Sequence, residues 1–143
     1  ALAVAVAAHL PFSHFVTESV SATTSALDNK RSEPWSSDRL EQLRQQGTPV
    51  FVNVTADWCI TCLTNEKLVL NQDPIKNLFN DQGIIYLKAD WTRYDAAITH
   101  YLGQFGRNGV PLYVYYPGNN AAPVVLPQIL QTNAMLEALT SQK

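Results

Sequence analysis

The two cysteines constrain the fold and chemistry of this chain more than any other feature. Cys59 and Cys62 are its only cysteines, and they stand three positions apart in the stretch TADWCITC. A buried strand is predicted directly before them, over 49–54, and a helix from about 59 to 70. Residues three apart on a helix share a face, so the two sulfurs come within bonding reach. The junction of strand and helix therefore predicts a paired-thiol site.

The rest of the pattern predicts an α/β fold with a central mixed sheet. The elements follow in the order α-β-α-α-β-α-β-β-α, with strands in the runs PVFVNV, IIYLKAD, LYVYY and PVVL. Strands joined by helices run parallel, whereas the turn PGNN at 117–120 makes the last two strands an antiparallel hairpin. This arrangement places helices on both faces of the sheet. One helix is expected to be capped by Asp73, and the last to begin near Thr132.

The residues before this pattern predict an N-terminal extension. The opening ALAVAVAAHLPF is apolar for about a dozen residues, which is too short to span a bilayer alone. Residues 1–16 are a signal-peptide remnant, a buried helix or the end of a longer transmembrane helix, and we prefer the last. Residues 17–34 are polar and rich in Ser and Thr, which is typical of a linker. An extension without function is the alternative, and the folded domain is expected over 35–143.

Charge and cysteine spacing weigh against several other functions. The formal net charge is −2 and no basic run is present, so nucleic-acid binding is not expected. Haem attachment requires His directly after the second cysteine, and this chain has Leu63 there. A single Cys-x-x-Cys supplies half of a zinc site, and the three histidines (His9, His14 and His100) have no paired spacing.

Two interpretations of the cysteine pair remain: a disulfide that stabilises the fold and a disulfide that takes part in redox chemistry. A cross-link closing a four-residue loop contributes only about 1.9 kcal/mol in the chain-entropy treatment, against about 4.7 for a hundred-residue loop. A helix N-terminus has unpaired N–H groups and partial positive charge, which favour a thiolate at Cys59. Cys62, one turn deeper, is expected to be the less exposed, resolving thiol. The strand before the pair favours the redox reading.

Three residues near the cysteines are further candidates for the site. Glu66 lies on the stripe of the two cysteines and either exchanges protons with Cys62, disfavours its thiolate by repulsion, or is a solvated charge paired with a neighbour. Asn53 is a polar residue in an apolar strand and either anchors a buried polar spot beneath the cysteines or satisfies the backbone. Trp58 either shields the turn before the helix or packs in the core.

Several stretches together resemble a known family. WCITC after a buried strand, with GVP before a hairpin and a final helix, resembles the thioredoxin fold from about Trp35 to the end of the chain. ADWCITC with Asn65 and Glu66, EPWS at 33–36 and KADWT at 88–92 resemble a narrower group. This group is the C-terminal periplasmic domain of the DsbD/ScsB family of transmembrane thiol:disulfide interchange proteins.

The resemblance implies a function and roles for individual residues. Cys59 would attack and Cys62 would resolve, with Glu66 as a third, acidic catalytic residue near the site and Asn53 and Asp57 as supporting residues. Val110 and Pro111 would form a cis peptide bond that shapes a groove for the partner together with Trp58.

The same resemblance implies a location and partners. The domain would be a reductase in the bacterial periplasm, tethered to the inner membrane. It would take electrons from a transmembrane domain of the same or a partner protein and pass them to a periplasmic disulfide-bearing acceptor. It would need no bound cofactor and no metal.

Two departures from the family pattern bear on the chemistry. Asn53 stands where thioredoxins and many family members have a titratable Asp, so proton handling would rest on Glu66 or on water. Leu63 replaces a basic residue that would favour the thiolate. Two alternatives to the reductase remain: a disulfide oxidase or isomerase, and a module that binds copper or zinc through the same thiols.

Overall fold

A computed structural model of the chain describes residues 31–141, which form a five-stranded sheet with helices against both faces. The predicted apolar segment 1–16 and most of the predicted linker 17–34 lie outside these residues. Within 31–141, no helix combines the length and apolar character that crossing a bilayer requires.

The elements follow the predicted order with one addition at the start. They are β1 (Glu33–Pro34), α1 (Ser37–Gln45), β2 (Val50–Thr55), α2 (Ile60–Asn65) continued by a π-helical turn (Glu66–Leu70), α3 (Asp73–Gln82), β3 (Ile85–Asp90), α4 (Ala96–Gln104), β4 (Leu112–Tyr116), β5 (Val124–Leu126) and α5 (Thr132–Thr140). The strand order in the sheet is β1-β3-β2-β4-β5. β1 and β2 run parallel to β3, whereas β4 runs antiparallel to β2 and β5. The predicted mixed sheet and its closing hairpin are confirmed.

The central strand β2 organises the core because both of its faces are buried. Its valines at 50, 52 and 54 pack against α1 and α4, whereas Phe51 packs against α3, α5 and the π-helical turn. Burying an aliphatic side chain of this size contributes about 1.5–3 kcal/mol relative to leaving it exposed. Helices on both faces of the sheet therefore follow from a central strand whose apolar residues point to both faces.

The first strand was not predicted from the sequence. β1 contains only two residues, and strand patterns are recognised over runs of four or more. Its pairing with Leu87 and Lys88 of β3 is a long-range contact that no local pattern reveals. The sheet consequently begins two residues before the predicted domain start at Trp35.

Two helix predictions were also inexact. The helix expected over 59–70 is α-helical only as far as Asn65, and Glu66–Leu70 is a π-helical turn. The predicted cap Asp73 is the first helical residue of α3, and the preceding Gln72 has the extended backbone of an N-cap without a side-chain hydrogen bond. Pro74 fits the first turn, where its missing N–H costs nothing.

Candidate functional site

The two cysteines are bonded to each other where β2 leads into α2. The S–S distance is 2.13 Å and the two Cα atoms are 5.2 Å apart. Cys59 is the N-cap of α2, and its Sγ accepts a hydrogen bond from the backbone N–H of Cys62 at 3.2 Å. Cys62 is fully buried, whereas 7% of Cys59 is exposed. Cys59 is therefore the more accessible of the two residues, and a backbone amide of the helix donates to its sulfur.

The turn before Cys59 is fixed by the loop that follows β3. The backbone N–H of Asp57 donates to Thr92 Oγ1 at 2.9 Å, and that of Cys59 donates to the carbonyl of Ala56 at 3.0 Å. Parallel pairing of β2 and β3 brings these two loops to the same end of the sheet. Asp57 thus helps to hold the turn through its backbone, while a role for its exposed carboxylate stays a prediction.

The Val110–Pro111 peptide bond is cis, as the resemblance implied. Val110 is partly buried and packs against a small apolar cluster of Ala56, Cys59 and Cys62. The segment before β4 therefore lies beside the disulfide, and its part in binding a partner stays a prediction.

A buried polar cluster lies on the face of β2 that points toward the cysteine helix. The amide nitrogen of Asn53, which is fully buried, donates to Glu66 Oε1 at 3.0 Å and to the hydroxyl oxygen of Tyr86 at 2.9 Å. The ammonium of Lys88 lies 3.7 Å from Glu66 Oε2. Of the alternatives for Asn53, the structure thus shows a buried polar spot. Glu66 is 9% exposed and paired with a neighbour, not a solvated charge.

A second amide, that of Asn65, ties the cysteine helix to β4 and to the segment that follows β5. The Asn65 amide nitrogen donates to the Tyr113 hydroxyl at 2.9 Å and to the carbonyl of Gln128 at 2.7 Å, and its Oδ1 accepts from the N–H of Leu130. Burial raises the pKa of Tyr113 to about 12, with the Asn65 hydrogen bond opposing this rise and the charge of Glu66 adding to it. The Asn65 amide thus holds the end of α2 on β4, as the Asn53 amide holds the π-helical turn on β2.

Trp58 lies at the surface beside Cys59 and not in the core. It is 49% exposed, and its Nε1–H donates to the carbonyl of Thr92 at 3.1 Å. Its ring stacks on Tyr94, with centroids 5.8 Å apart and planes at 28°. Trp91 contacts both of these rings.

Lys88 and Tyr94 are two residues of the site that the sequence did not single out. Lys88 belongs to KADWT, a stretch used only to recognise the family, and its pairing with Glu66 depends on the register of β2 against β3. Nothing in the sequence indicated that Tyr94 belongs to the site, because a single aromatic residue in a predicted loop has no pattern that distinguishes it from other surface residues. Its position becomes apparent only from the contact with Trp58.

Nothing in the described part of the chain resembles a metal centre. Residues 31–141 contain no group of three or more His, Cys, Asp or Glu side chains placed to hold an ion. His100 borders a separate pocket of about 270 Å³ between α1 and α4, which Trp35 and Tyr116 also line. His9 and His14 lie outside the described residues.

The geometry around the pair is suited to reversible thiol–disulfide exchange. An attacking thiolate requires access and stabilisation of its charge; Cys59 keeps the small exposure that Cys62 lacks, and a helix amide donates to its sulfur. A resolving thiol needs to lie within bonding distance, and the existing bond to Cys62 demonstrates that reach. The arrangement can therefore accept and release two electrons without a further group.

Comparison with known proteins places most of the chain in one family. A family described as thioredoxin-like matches residues 31–118. The thiol:disulfide interchange protein DsbD of Yersinia enterocolitica is 25% identical over 96 residues, which cover 66% of this chain and 16% of that protein. DsbD of Yersinia pestis is 30% identical over 71 residues, or 50% of this chain and 12% of that protein. The chain thus spans about one-sixth or less of the length of these curated relatives.

Solved structures share the fold at low sequence identity. The C-terminal domain of Neisseria meningitidis DsbD in its oxidised form superposes with a TM-score of 0.58 at 18% identity, covering 87% of this chain and 97% of that domain. A thioredoxin from Thermus thermophilus gives a TM-score of 0.62 at 18% identity, covering 78% of this chain and 85% of that one. These likenesses confirm the predicted thioredoxin-like fold.

Proposed function

This chain belongs to the thioredoxin-like family, and we propose that it is a periplasmic thiol-disulfide reductase domain that passes electrons from a membrane domain to acceptor disulfides. The observation that carries the proposal is the Cys59–Cys62 disulfide at a helix N-terminus, with the more accessible sulfur already accepting a helix amide. The similarity to DsbD, a thiol:disulfide interchange protein, supports the reaction class. It also supports a periplasmic position within an inner-membrane protein.

The reaction transfers two electrons in two exchange steps. In the reduced domain the Cys59 thiolate attacks one sulfur of the acceptor, which forms a mixed disulfide and releases the other acceptor sulfur as a thiolate. The Cys62 thiolate then attacks Cys59 Sγ, which closes the intramolecular disulfide and releases the second acceptor sulfur. The domain thereby gives two electrons to the acceptor, whose two released thiolates take up protons from solvent, and the two protons of the domain's own thiols end in solvent. A membrane domain acting as donor restores the dithiol by the reverse exchange.

The buried cluster beneath the cysteines is suited to managing the protons of this cycle. Asn53 cannot titrate, so the carboxylate of Glu66 is the titratable acid of the cluster, and it lies four residues after Cys62 on the same helical stripe. The Asn53 amide donates a hydrogen bond to that carboxylate, and the Lys88 ammonium lies 3.7 Å from it. We propose that Glu66 receives the proton of Cys62 as it becomes a nucleophile. The domain works without a bound cofactor in this scheme.

A trapping experiment tests the mechanism directly. Cys62→Ala should accumulate a mixed disulfide with a disulfide-containing acceptor, because the step that releases the acceptor is removed. Cys59→Ala is the matched control and should trap nothing, since the remaining thiol is fully buried. The adducts are counted by non-reducing electrophoresis and mass spectrometry, with dithiothreitol reversal as a check. Equal trapping by both variants, or by neither, contradicts the assigned roles.

The direction of electron flow is tested separately by the reduction potential of the Cys59–Cys62 couple. Equilibration with glutathione or dithiothreitol buffers should give about −270 mV or lower, as in thioredoxin. A potential near −120 mV, as in a strong oxidant, would instead assign the domain to the oxidases or isomerases.

A further inference from the structure

Exposed apolar side chains concentrate around the reactive cysteine. The large hydrophobic residues exposed in the described part of the chain are Trp58, Ile60, Leu63, Leu68, Tyr94, Val125 and Ile129. Trp58 and Ile60 flank Cys59 in sequence, Leu63 follows one helical turn later, and Tyr94 stacks on Trp58. Scattered exposed apolar residues need no explanation, but a contiguous group beside a reactive sulfur indicates a contact surface.

Two of these residues, Trp58 and Tyr94, form what we call the aromatic wall, and the loop after β3 holds it in place. Tyr94 has a left-handed backbone (φ 56°), which is uncommon for a bulky residue, and its N–H donates to the carbonyl of Trp91. The Trp91 ring meets Tyr94 edge-on at 4.9 Å, and its Nε1–H is fixed by Thr99 Oγ1 at 2.8 Å.

The aromatic wall is ordered without contributing to the hydrophobic core. Tyr94 remains 62% exposed although its backbone adopts an unfavourable conformation, and Trp58 is about half exposed. Unfavourable backbone conformations that the surroundings enforce are found preferentially at ligand-contact sites. Preorganised aromatic side chains are effective contact residues because little conformational entropy is lost when a partner covers them.

The charges around the aromatic wall indicate which charge a partner should carry. Asp57, Asp90 and Asp95 are exposed on the turn and loop that carry the wall, against one exposed cation, Arg93. Asp90 accepts hydrogen bonds from Thr92, and Asp95 caps α4 by accepting from the N–H of Ile98, so both carboxylates are held in position. A positive charge on the partner complements this edge.

The family resemblance already implies a partner groove beside Trp58, and we propose that Tyr94 extends this groove and selects acceptors whose disulfide segment presents an aromatic or aliphatic side chain and a lysine or arginine next to its reactive cysteine. The inference rests on the proposed reductase function. An acceptor sulfur bonded to Cys59 brings its own neighbouring residues over the adjacent surface, and Trp58 adjoins Cys59. The wall contributes binding and selects acceptors, whereas the exchange chemistry stays with the cysteines.

The test uses the full chain and two synthetic disulfide peptides that differ only beside the reactive cysteine. One peptide carries Phe and Lys at these positions, and the other carries Ser and Glu. Wild type should reduce the Phe–Lys peptide with a KM about tenfold lower, the size expected for one well-packed aromatic contact. Tyr94→Ala and Tyr94→Asn should raise that KM about five- to tenfold with kcat unchanged. Asn tolerates the left-handed backbone, so this variant keeps the fold.

Two controls separate docking from chemistry. Ile129→Ala removes an equally exposed apolar side chain, at 64%, and should leave both KM values unchanged. Reduction of oxidised glutathione and the reduction potential should be the same in wild type and both Tyr94 variants, because neither depends on the wall.

Three results would overturn the proposal. Tyr94 variants with wild-type KM values, or a wild type that prefers the Ser–Glu peptide, would show that the wall does not dock the acceptor. A parallel loss of glutathione reduction in the Tyr94 variants would show that Tyr94 acts on the cysteines instead. A wild type that reduces neither peptide nor glutathione removes the proposed function itself, and the docking role with it.

Discussion

The two faces of β2 differ in character although they belong to the same six-residue strand. On one face, Val50, Val52 and Val54 meet the apolar sides of α1 and α4. On the other, Phe51 is followed by Asn53 and Thr55, which are polar and buried under the helix that carries the cysteines. Strand alternation allows this division, because successive side chains point to opposite faces of a sheet.

The valine face of β2 contributes mainly to stability, whereas the cysteine face contributes to the chemistry of the site. The valine face supplies apolar burial, and the hydroxyls of Tyr101 and Tyr116 form a hydrogen bond of 2.7 Å there. The cysteine face instead buries Glu66 with the Asn53 amide and the Lys88 ammonium nearby. Replacing buried ion pairs by packed apolar groups is often neutral or stabilising, so such a cluster is weak evidence for a stability role. Mutations on the two faces should therefore differ in what they change.

The largest loss of stability is expected on the valine face. Leu102→Ala in α4 removes a fully buried side chain and should lower the free energy of unfolding by about 2–5 kcal/mol, since it leaves a cavity. Urea unfolding measures the loss, and Leu68→Ala, an exposed position, should change stability by no more than about 0.5 kcal/mol. The thiol reactivity of the folded Leu102 variant should match wild type. A changed reactivity would mean that the two faces are coupled.

An intermediate loss of stability, together with altered chemistry, is expected on the cysteine face. Asn53→Ala removes the hydrogen bonds to Glu66 and Tyr86, which should cost about 1–3 kcal/mol because a buried carboxylate loses a donor. The pH dependence of the alkylation of the reduced cysteines by iodoacetamide should also shift, because Glu66 lies on the same helical stripe as Cys62.

Asn65→Ala is the matched control for this prediction. It removes another buried amide on the same face, but one that bonds to Tyr113 and to the backbone of Gln128 and Leu130. It should lower stability by a similar amount and leave the pH profile in place. Equal shifts of the profile in both variants would show that the reactivity of the thiols responds to general loosening of α2.

The smallest effect at neutral pH is expected for Tyr113→Phe, which removes one hydrogen bond and should lower the free energy of unfolding by about 1 kcal/mol. The substitution should have a distinct effect on how stability depends on pH in the alkaline range. An unfolded tyrosine loses its proton near pH 10, whereas the folded Tyr113 keeps it until about pH 12. The unfolded state therefore binds fewer protons in this window, so wild-type stability falls as pH rises from about 10 to 12.

Substitution of tyrosine on each face sharpens the comparison. Tyr113→Phe should make the alkaline decline shallower, and Tyr101→Phe should do the same on the valine face, where burial and Tyr116 raise the pKa of Tyr101. Urea unfolding at pH 9, 10 and 11 measures the slope. An unchanged slope for Tyr113→Phe would mean that its hydroxyl titrates as freely when folded as when unfolded.

Local sequence patterns were sufficient for most of the framework. The alternating and continuous apolar runs predicted β2 to β5 and the five helices, because burial of a repeating face leaves a periodic trace in the sequence. The paired cysteines at the junction of β2 and α2 predicted the disulfide. β1 and the π-helical turn at Glu66–Leu70 escaped prediction, since a two-residue strand and one widened turn leave no period to detect.

The surroundings of the cysteines depended on contacts between distant segments. Glu66 was predicted to be catalytic and Asn53 to support it, but only the packing of the cysteine helix on β2 brings the Asn53 amide to 3.0 Å from the Glu66 carboxylate. Lys88 joins them through the register of β2 against β3, and Tyr94 meets Trp58 because parallel strands end at the same edge.

The sequence by itself thus determined the order of the elements, the closeness of Cys59 to Cys62 and the side from which the pair is reached. These properties depend on residues within one helical turn or one strand, where backbone geometry fixes the spacing of side chains. The tertiary structure alone decided which carboxylate, ammonium and aromatic rings surround the pair. Those neighbours come from separate strands and loops, and their distances are set by strand order, register and the burial of both faces of the sheet.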